Sequence, residues 1–170
     1  MVKIHITGNA GAGKSTLARE LGAVLDLPVF GLDEIVWQPG WVKTPRDTVV
    51  EKERGLISTP AWIIEGVSNV VRDAADVVIF LDVSRRTSIA RCAKRNWRFL
   101  FTGRPELPAN CPEIQIIPQL LKIIWRFKTR VRPQILEDAS KRSGFFVVRN
   151  ADDLRKVYEY LGGGAAFRQA

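Results

Sequence analysis

The sequence predicts an α/β fold in which a parallel sheet lies buried between layers of helices, and three observations carry that prediction. Gly8-Asn9-Ala10-Gly11-Ala12-Gly13-Lys14-Ser15-Thr16 completes the pattern G-x-x-x-x-G-K-[ST]. It falls between an alternating, strand-like stretch, Val2 to Thr7, and a segment from Thr16 to Leu25 whose apolar residues recur at helical spacing. Beyond it, short β-branched strands that are apolar on both faces alternate with helical segments, as parallel strands covered on both sides do.

The elements follow in order. After the first strand and helix, Leu27-Pro28-Val29-Phe30 reads as a second strand ending at Gly31-Leu32-Asp33. Thr44-Pro45 opens a helix to about Ile57, with Thr44 as cap and Pro45 at the first helical position, and Ser58-Thr59-Pro60 closes it. Ala61 to Gly66 is the third strand, Val77 to Val83 the fourth and Gly144 to Arg149 the fifth. Ser84 caps a long basic helix that runs to about Leu100. Thr102 to Pro112, with prolines at 105, 108 and 112, interrupts the alternation and reads as a loop or lid. Ile117, Leu120, Leu121 and Ile124 then form an apolar helical stripe. Asn150 starts a last helix with Leu154, Val157, Tyr158 and Leu161 on one face, and Gly162-Gly163-Gly164 stops it before a loose tail.

A chain of 170 residues, 46% of them hydrophobic, supports one packed domain spanning residues 1–170. The formal charge of +8 favours polyanionic partners: nucleotides, nucleic acid or an acidic membrane surface. The longest apolar runs fall far short of a membrane span and the first residues lead straight into a strand, so a cytoplasmic protein without membrane association is expected. Cys92 and Cys111 lack metal-ligand spacing and read as buried or incidental thiols. His5 reads as a packed or edge residue of the first strand.

The glycine pattern is suited to anion capture. Glycines at 8, 11 and 13 let the backbone turn tightly and present N–H groups to phosphate oxygens, and the helix that follows adds unpaired donors and a favourable dipole. In that reading the whole run Gly8, Asn9, Ala10, Gly11, Ala12, Gly13, Lys14, Ser15 and Thr16 binds a nucleoside triphosphate, Lys14 bridges its β- and γ-phosphates, and the Ser15 hydroxyl ligates Mg²⁺.

Other residues extend the site. Asp33 stands beyond the second strand, where ligands bind in open α/β sheets, and is expected to touch Mg²⁺ or orient an acceptor hydroxyl, with helix capping as the alternative. Glu65 after the third strand holds either the metal's water shell or nothing but solvent. Trp37-Gln38-Pro39-Gly40-Trp41 walls an acceptor pocket or packs on itself. Arg91, Lys94, Arg95 and Arg98 share one helix side, and Arg104 continues the theme in the loop. Arginines brought up by a lid stabilise the charge of a transferring phosphoryl group. Arg95 to Phe99 and Trp125 to Arg130 interleave aromatics with cations, a pattern of packed helices that also suits nucleic acid.

With these residues in this order, and with Ala75 to Asp82 between them, the chain resembles the adenylate-kinase-like P-loop kinases. More narrowly it is similar to the adenylate-kinase-related proteins labelled topology-modulation (FlaR-type) proteins. That likeness rests on Asp33 with the Trp37 to Trp41 loop, Gly103 to Pro108, Cys111-Pro112-Glu113 and the Trp125-Arg126 helix. The resemblance implies a P-loop NTPase of three layers, α/β/α, with a five-stranded parallel sheet in the order 2-3-1-4-5. It also implies an acceptor-binding region near 33–60, a lid near 91–113, acceptor contact by Asp33 and lid roles for Arg91 and Arg95. The chain departs from nucleoside monophosphate kinases after the third strand: they carry Asp-Gly-Phe-Pro-Arg, whereas here Glu65-Gly66-Val67-Ser68-Asn69 offers no phosphate-reading arginine and Arg72 is the nearest substitute. The expected function is ATP- and Mg²⁺-dependent transfer of a γ-phosphoryl group to a small nucleotide or hydroxyl acceptor, with Lys14, Asp33, Arg91 and Arg95 catalytic and Ser15 and Asp33 at the metal. The alternatives are a nucleotide-gated nucleic-acid-binding regulator and a weak ATPase without a dedicated acceptor.

Overall fold

The computed structural model describes residues 2–98 and 113–162. Five strands form one parallel sheet: β1 (Lys3–Gly8), β2 (Val29–Gly31), β5 (Trp62–Glu65), β6 (Val77–Leu81) and β7 (Phe145–Val148). Two further strands, β3 (Trp37–Gln38) and β4 (Val42–Lys43), pair antiparallel as a separate hairpin. The sheet order is β2-β5-β1-β6-β7, which among the sheet strands alone, in chain order, is second, third, first, fourth, fifth. The hairpin adds two strands to the count, because Pro39-Gly40 makes a turn and Gly40, at φ 74°, accepts the left-handed backbone it needs.

β1 lies at the centre, with Ile4 paired to Ile63 of β5 on one side and to Val77 of β6 on the other. Its isoleucines feed the core on one face of the sheet. Ile4 and Ile6 join Ile63, Ile79 and Leu81 against Leu17, Ala18 and Leu21 of α1 (Lys14–Leu25) and Val157 of α8 (Ala151–Tyr160). On the opposite face Trp62 and Ile64 pack with Val71 of α4 (Asn69–Ala74), while Phe80 packs with Phe127 and with Ile135 of α7 (Arg132–Ala139). Each fully buried isoleucine contributes roughly 2 kcal/mol of transfer free energy, so the layers hold the carboxyl ends of the strands in fixed positions.

Other helix limits follow from local chemistry, with corrections. The helix expected to start with a Thr44 cap is α3 (Arg46–Ile57), and Pro45 itself stands at the cap position without a side-chain bond. Ser84 does cap α5 (Arg85–Arg98), accepting from the Thr87 N–H at 3.1 Å, and Asn150 caps α8, accepting from the Asp153 N–H at 2.9 Å. The segment after Pro112 forms α6 (Glu113–Arg126), a π-helical turn over Phe127–Val131, and α7. The buried side of α6 carries Ile116 and Ile124, whereas Leu121, expected in that stripe, is exposed. Three helices escaped the sequence reading: α2 (Asp33–Val36), α4 and α7. The expected lid loop, with Arg104 and Cys111, lies outside the described residues, as does the tail after Gly162.

Candidate phosphate and acceptor site

β1 ends at Gly8 and α1 begins at Lys14, so the loop between them sits at the carboxyl edge of the central strand. Gly8, Gly11 and Gly13 take φ of 154°, 73° and 103°, backbone that residues with a Cβ rarely adopt. Close packing enforces the same choice. A Cβ on Gly11 would come within 2.5 Å of the Ser88 carbonyl oxygen and 2.7 Å of Cys92 Sγ, and one on Gly8 within 2.8 Å of the Leu81 carbonyl oxygen. Cys92 is accordingly a buried packing thiol beneath the loop.

The loop is cross-braced by its own side chains. Asn9, 4% exposed, accepts the Ala10 N–H at Oδ1 and donates from Nδ2 to the Ile124 carbonyl of α6 at 3.2 Å. Lys14 Nζ donates to the Asn9 carbonyl at 3.2 Å, and Arg91 Nη1 of α5 donates to the Ala12 carbonyl at 3.0 Å. Two cations thus converge on a glycine-rich turn that opens a twelve-residue helix, whose first amides have no intrahelical acceptors. The side chain of Arg95 lies outside the description, so only Arg91 of the two predicted lid arginines can be placed.

Ser15 Oγ donates to Glu65 Oε1 at 2.7 Å. The carboxylate that meets the loop hydroxyl is therefore Glu65, which the sequence left open between a metal role and solvent. Asp33 stands exposed in the first turn of α2, and its capping alternative fails because the cap position is Leu32. Glu34 reaches back toward Glu65: a Cβ on Gly31 would lie 3.5 Å from Glu34 Oε1 and 3.6 Å from Glu65 Oε1. Among the described residues no group of three or more His, Cys, Asp or Glu could hold a metal. A hydroxyl and one carboxylate suit Mg²⁺, which keeps its waters and takes substrate phosphates rather than an all-protein cage.

Beside the loop a cleft of about 490 Å³ is lined by Gly13, Thr16, Glu20, Arg91, Arg149 and Asn150 over an apolar floor that includes Leu81 and Val148. Arg149 Nε is held at 3.1 Å by Asp82 at the end of β6, and Arg132 forks onto both oxygens of the same carboxylate at 2.8 Å. Those hydrogen bonds, Arg132 first, pull the Asp82 carboxyl below the usual carboxylate range.

Two sequence expectations change character here. Arg72 is 4% exposed, with Nε on Asp138 Oδ2 at 2.7 Å and Nη2 on Asn69 Oδ1 at 2.9 Å, so it pins α4 to α7 inside the fold. The Trp37 to Trp41 loop folds on itself: the rings meet edge to face at 5.3 Å, Trp37 is buried, and Lys43 Nζ lies 5.8 Å from its ring centre. Packing accounts for Trp37. His5 proves fully buried in the central strand, its Nε2 bonded to the Gly66 carbonyl at 3.2 Å, and desolvation lowers its pKa to about 3.

No protein-family model matches the sequence, and no curated protein does. Among solved structures, the chain superposes on an uncharacterized protein from Eubacterium ventriosum at 13% identity and a TM-score of 0.55, covering 96% of this chain and 98% of that one. It superposes on shikimate kinase from Acinetobacter baumannii in complex with shikimate at 16% identity and a TM-score of 0.53, covering 100% and 96%. The chain thus shares the fold of the shikimate kinase on which it superposes. Within that fold the strands, the glycine loop and α1 stand in the arrangement that the sequence motif requires, and no described helix is long and apolar enough to cross a membrane.

Proposed function

We propose that this chain is an ATP- and Mg²⁺-dependent cytoplasmic phosphotransferase that moves a γ-phosphoryl group onto a small nucleotide or hydroxyl acceptor. The observation that carries the reading is the loop itself: three glycines in left-handed or near-left-handed backbone, with Lys14 and Arg91 bonded to its carbonyls and Ser15 bonded to Glu65. Triphosphate oxygens take the loop amides and draw Lys14 and Arg91 off the carbonyls of Asn9 and Ala12. The nucleoside occupies the cleft between Arg91 and Asn150. Bound Mg²⁺ would supply charge neutralisation on the triphosphate, and Ser15, with Glu65 and Asp33, would hold it directly or through its waters.

In the transfer, the bond from the γ-phosphorus to the β-bridging oxygen breaks as a bond to the acceptor oxygen forms. Asp33 orients the acceptor hydroxyl and takes its proton, leaving a nucleoside diphosphate and a phosphorylated acceptor. Arg91, joined by Arg95, stabilises the equatorial oxygens as charge spreads over them. Lys14→Ala removes a donor aimed at that charge and is expected to cut turnover about a hundredfold or more while leaving the melting temperature unchanged. Full activity in that variant, measured as ATP-dependent phosphorylation across a panel of nucleosides, nucleoside monophosphates and small alcohols, would refute the assignment.

A second reading, a nucleotide-gated nucleic-acid-binding regulator, is favoured by one surface. Trp125 is 65% exposed, with the Arg85 guanidinium 4.5 Å from its ring centre and Lys122, Arg126, Lys128 and Arg130 exposed around it. Phe127, by contrast, is buried as packing. That reading requires ATP-responsive binding of single-stranded nucleic acid that weakens steeply with salt and is lost in Trp125→Ala. Binding indifferent to ATP and to Trp125 removes it.

A further inference from the structure

We infer that Asn9 is a positioning residue that ties the phosphate loop to the carboxyl end of α6, so that a nucleotide in the loop alters the surroundings of Trp125. This coupling rests on the reading of the loop as a triphosphate site and adds to it a route out of that site.

Asn9 joins the loop to itself and to a distant helix at once. Its Oδ1 accepts the Ala10 N–H at 2.8 Å, and its carbonyl accepts the Ala12 N–H at 3.1 Å and Lys14 Nζ at 3.2 Å. Its Nδ2 donates to the Ile124 carbonyl at 3.2 Å. Asn9 is 4% exposed and Ile124 1%, so breaking that last bond would strand a buried donor and a buried acceptor. On its other side the loop has no room to shift. Gly11 lies so near the Ser88 carbonyl and Cys92 Sγ of α5 that a Cβ would not fit between them.

The end of α6 is built to respond. The carbonyls of Ile124 and Trp125 both take side-chain donors, from Asn9 and from Arg85 Nη2 at 2.9 Å. The same guanidinium lies 4.5 Å from the centre of the Trp125 ring, which is largely exposed. Just beyond, Phe127–Val131 leaves the α-helical ladder for a π-helical turn, whose bonds span one residue more. The plain α-helix is a second arrangement for this helix end to move into.

A triphosphate that takes the Lys14 ammonium removes a donor from the Asn9 carbonyl and turns the loop peptides toward its own oxygens. The Asn9 side chain carries that change to the Ile124 carbonyl, and the Trp125 ring shifts against the Arg85 guanidinium. By linkage the effect runs both ways, and whatever moves the end of α6 alters nucleotide affinity by the same factor.

Tryptophan emission with and without adenylyl imidodiphosphate and Mg²⁺, with binding followed separately by calorimetry, tests the coupling. At saturation the parent should show an emission change that is largely lost in Trp125→Phe. Asn9→Asp keeps the acceptor for the Ala10 N–H but loses the donor to Ile124, and at saturation it should lose the same signal. A merely structural role for Asn9 would lower the melting temperature and weaken binding, yet leave the saturated amplitude as in the parent. Arg85→Met touches no bond of the loop and gives the reverse measurement, which stands even if Asn9→Asp fails to fold. It should change the dissociation constant of the same ligand about fivefold. A parent signal that survives Trp125→Phe, an Asn9→Asp amplitude equal to the parent's, or an unchanged affinity in Arg85→Met each overturns the coupling. Failure of the underlying reading is distinct: the ligand then shows no calorimetric binding to the parent at all.

Discussion

At the scale of single residues, environment outranks identity. His5 is a titratable side chain three residues from the phosphate loop, yet full burial, with Arg72 and Lys14 nearby, keeps it neutral with a pKa of about 3. In the unfolded chain it takes a proton near its ordinary value. As pH falls below about 6.5 the unfolded state gains a proton that the native state refuses, so stability declines by about 1.4 kcal/mol per pH unit until the folded pKa is reached. Between pH 7.5 and 5 urea denaturation should therefore show a loss of about 2 kcal/mol from this group. His5→Asn, which retains a donor for the Gly66 carbonyl, should flatten that slope. An unchanged slope means that His5 is protonated in the fold. Glycines 8, 11 and 13 could be read correctly because their requirement is a backbone property written in the residue type. The state of His5 could not, because nothing in the sequence tells whether a strand residue faces a helix or water.

At the scale of elements, helices that share one sheet face are tied to one another by long-range pins that no periodicity reveals. Arg72 of α4 and Asp138 of α7 are the strongest example, with side chains 5% and 32% exposed. Removing one partner of such a pair strands a buried charge, so Asp138→Ala should cost about 2 kcal/mol by urea denaturation. Arg72→Met with Asp138→Leu should restore at least half of that loss, because both charges leave together. Strict additivity of the two single substitutions would show that the ion pair carries no coupling. Element types were largely legible: each expected sheet strand and the four main helices occur within a few residues of their sequence limits. The misses were short. α2 and α4 have four and six residues, too few for an apolar period to show, and the hairpin strands have two residues each. Leu121 failed for another reason: α6 is apolar over much of its circumference, so its pattern leaves the buried side undetermined.

At the scale of the whole molecule, the +8 charge is unevenly committed. Lys14 and Arg91 converge on the glycine loop and Arg149 lines the adjoining cleft, while Asp33, Glu34 and Glu65 gather near the carboxyl ends of β2 and β5. The sequence by itself determined the α/β class and the strand–loop–helix unit with its glycine turn. Those are local: nine consecutive residues and the periodicity on either side hold all the information needed. Which carboxylate meets Ser15, where Arg72 points and what braces Asn9 were decided only by the tertiary structure. The bonds that settle them join residues 50, 66 and 115 positions apart, and a parallel sheet brings such partners together at its carboxyl edge through crossovers that leave no trace in local spacing.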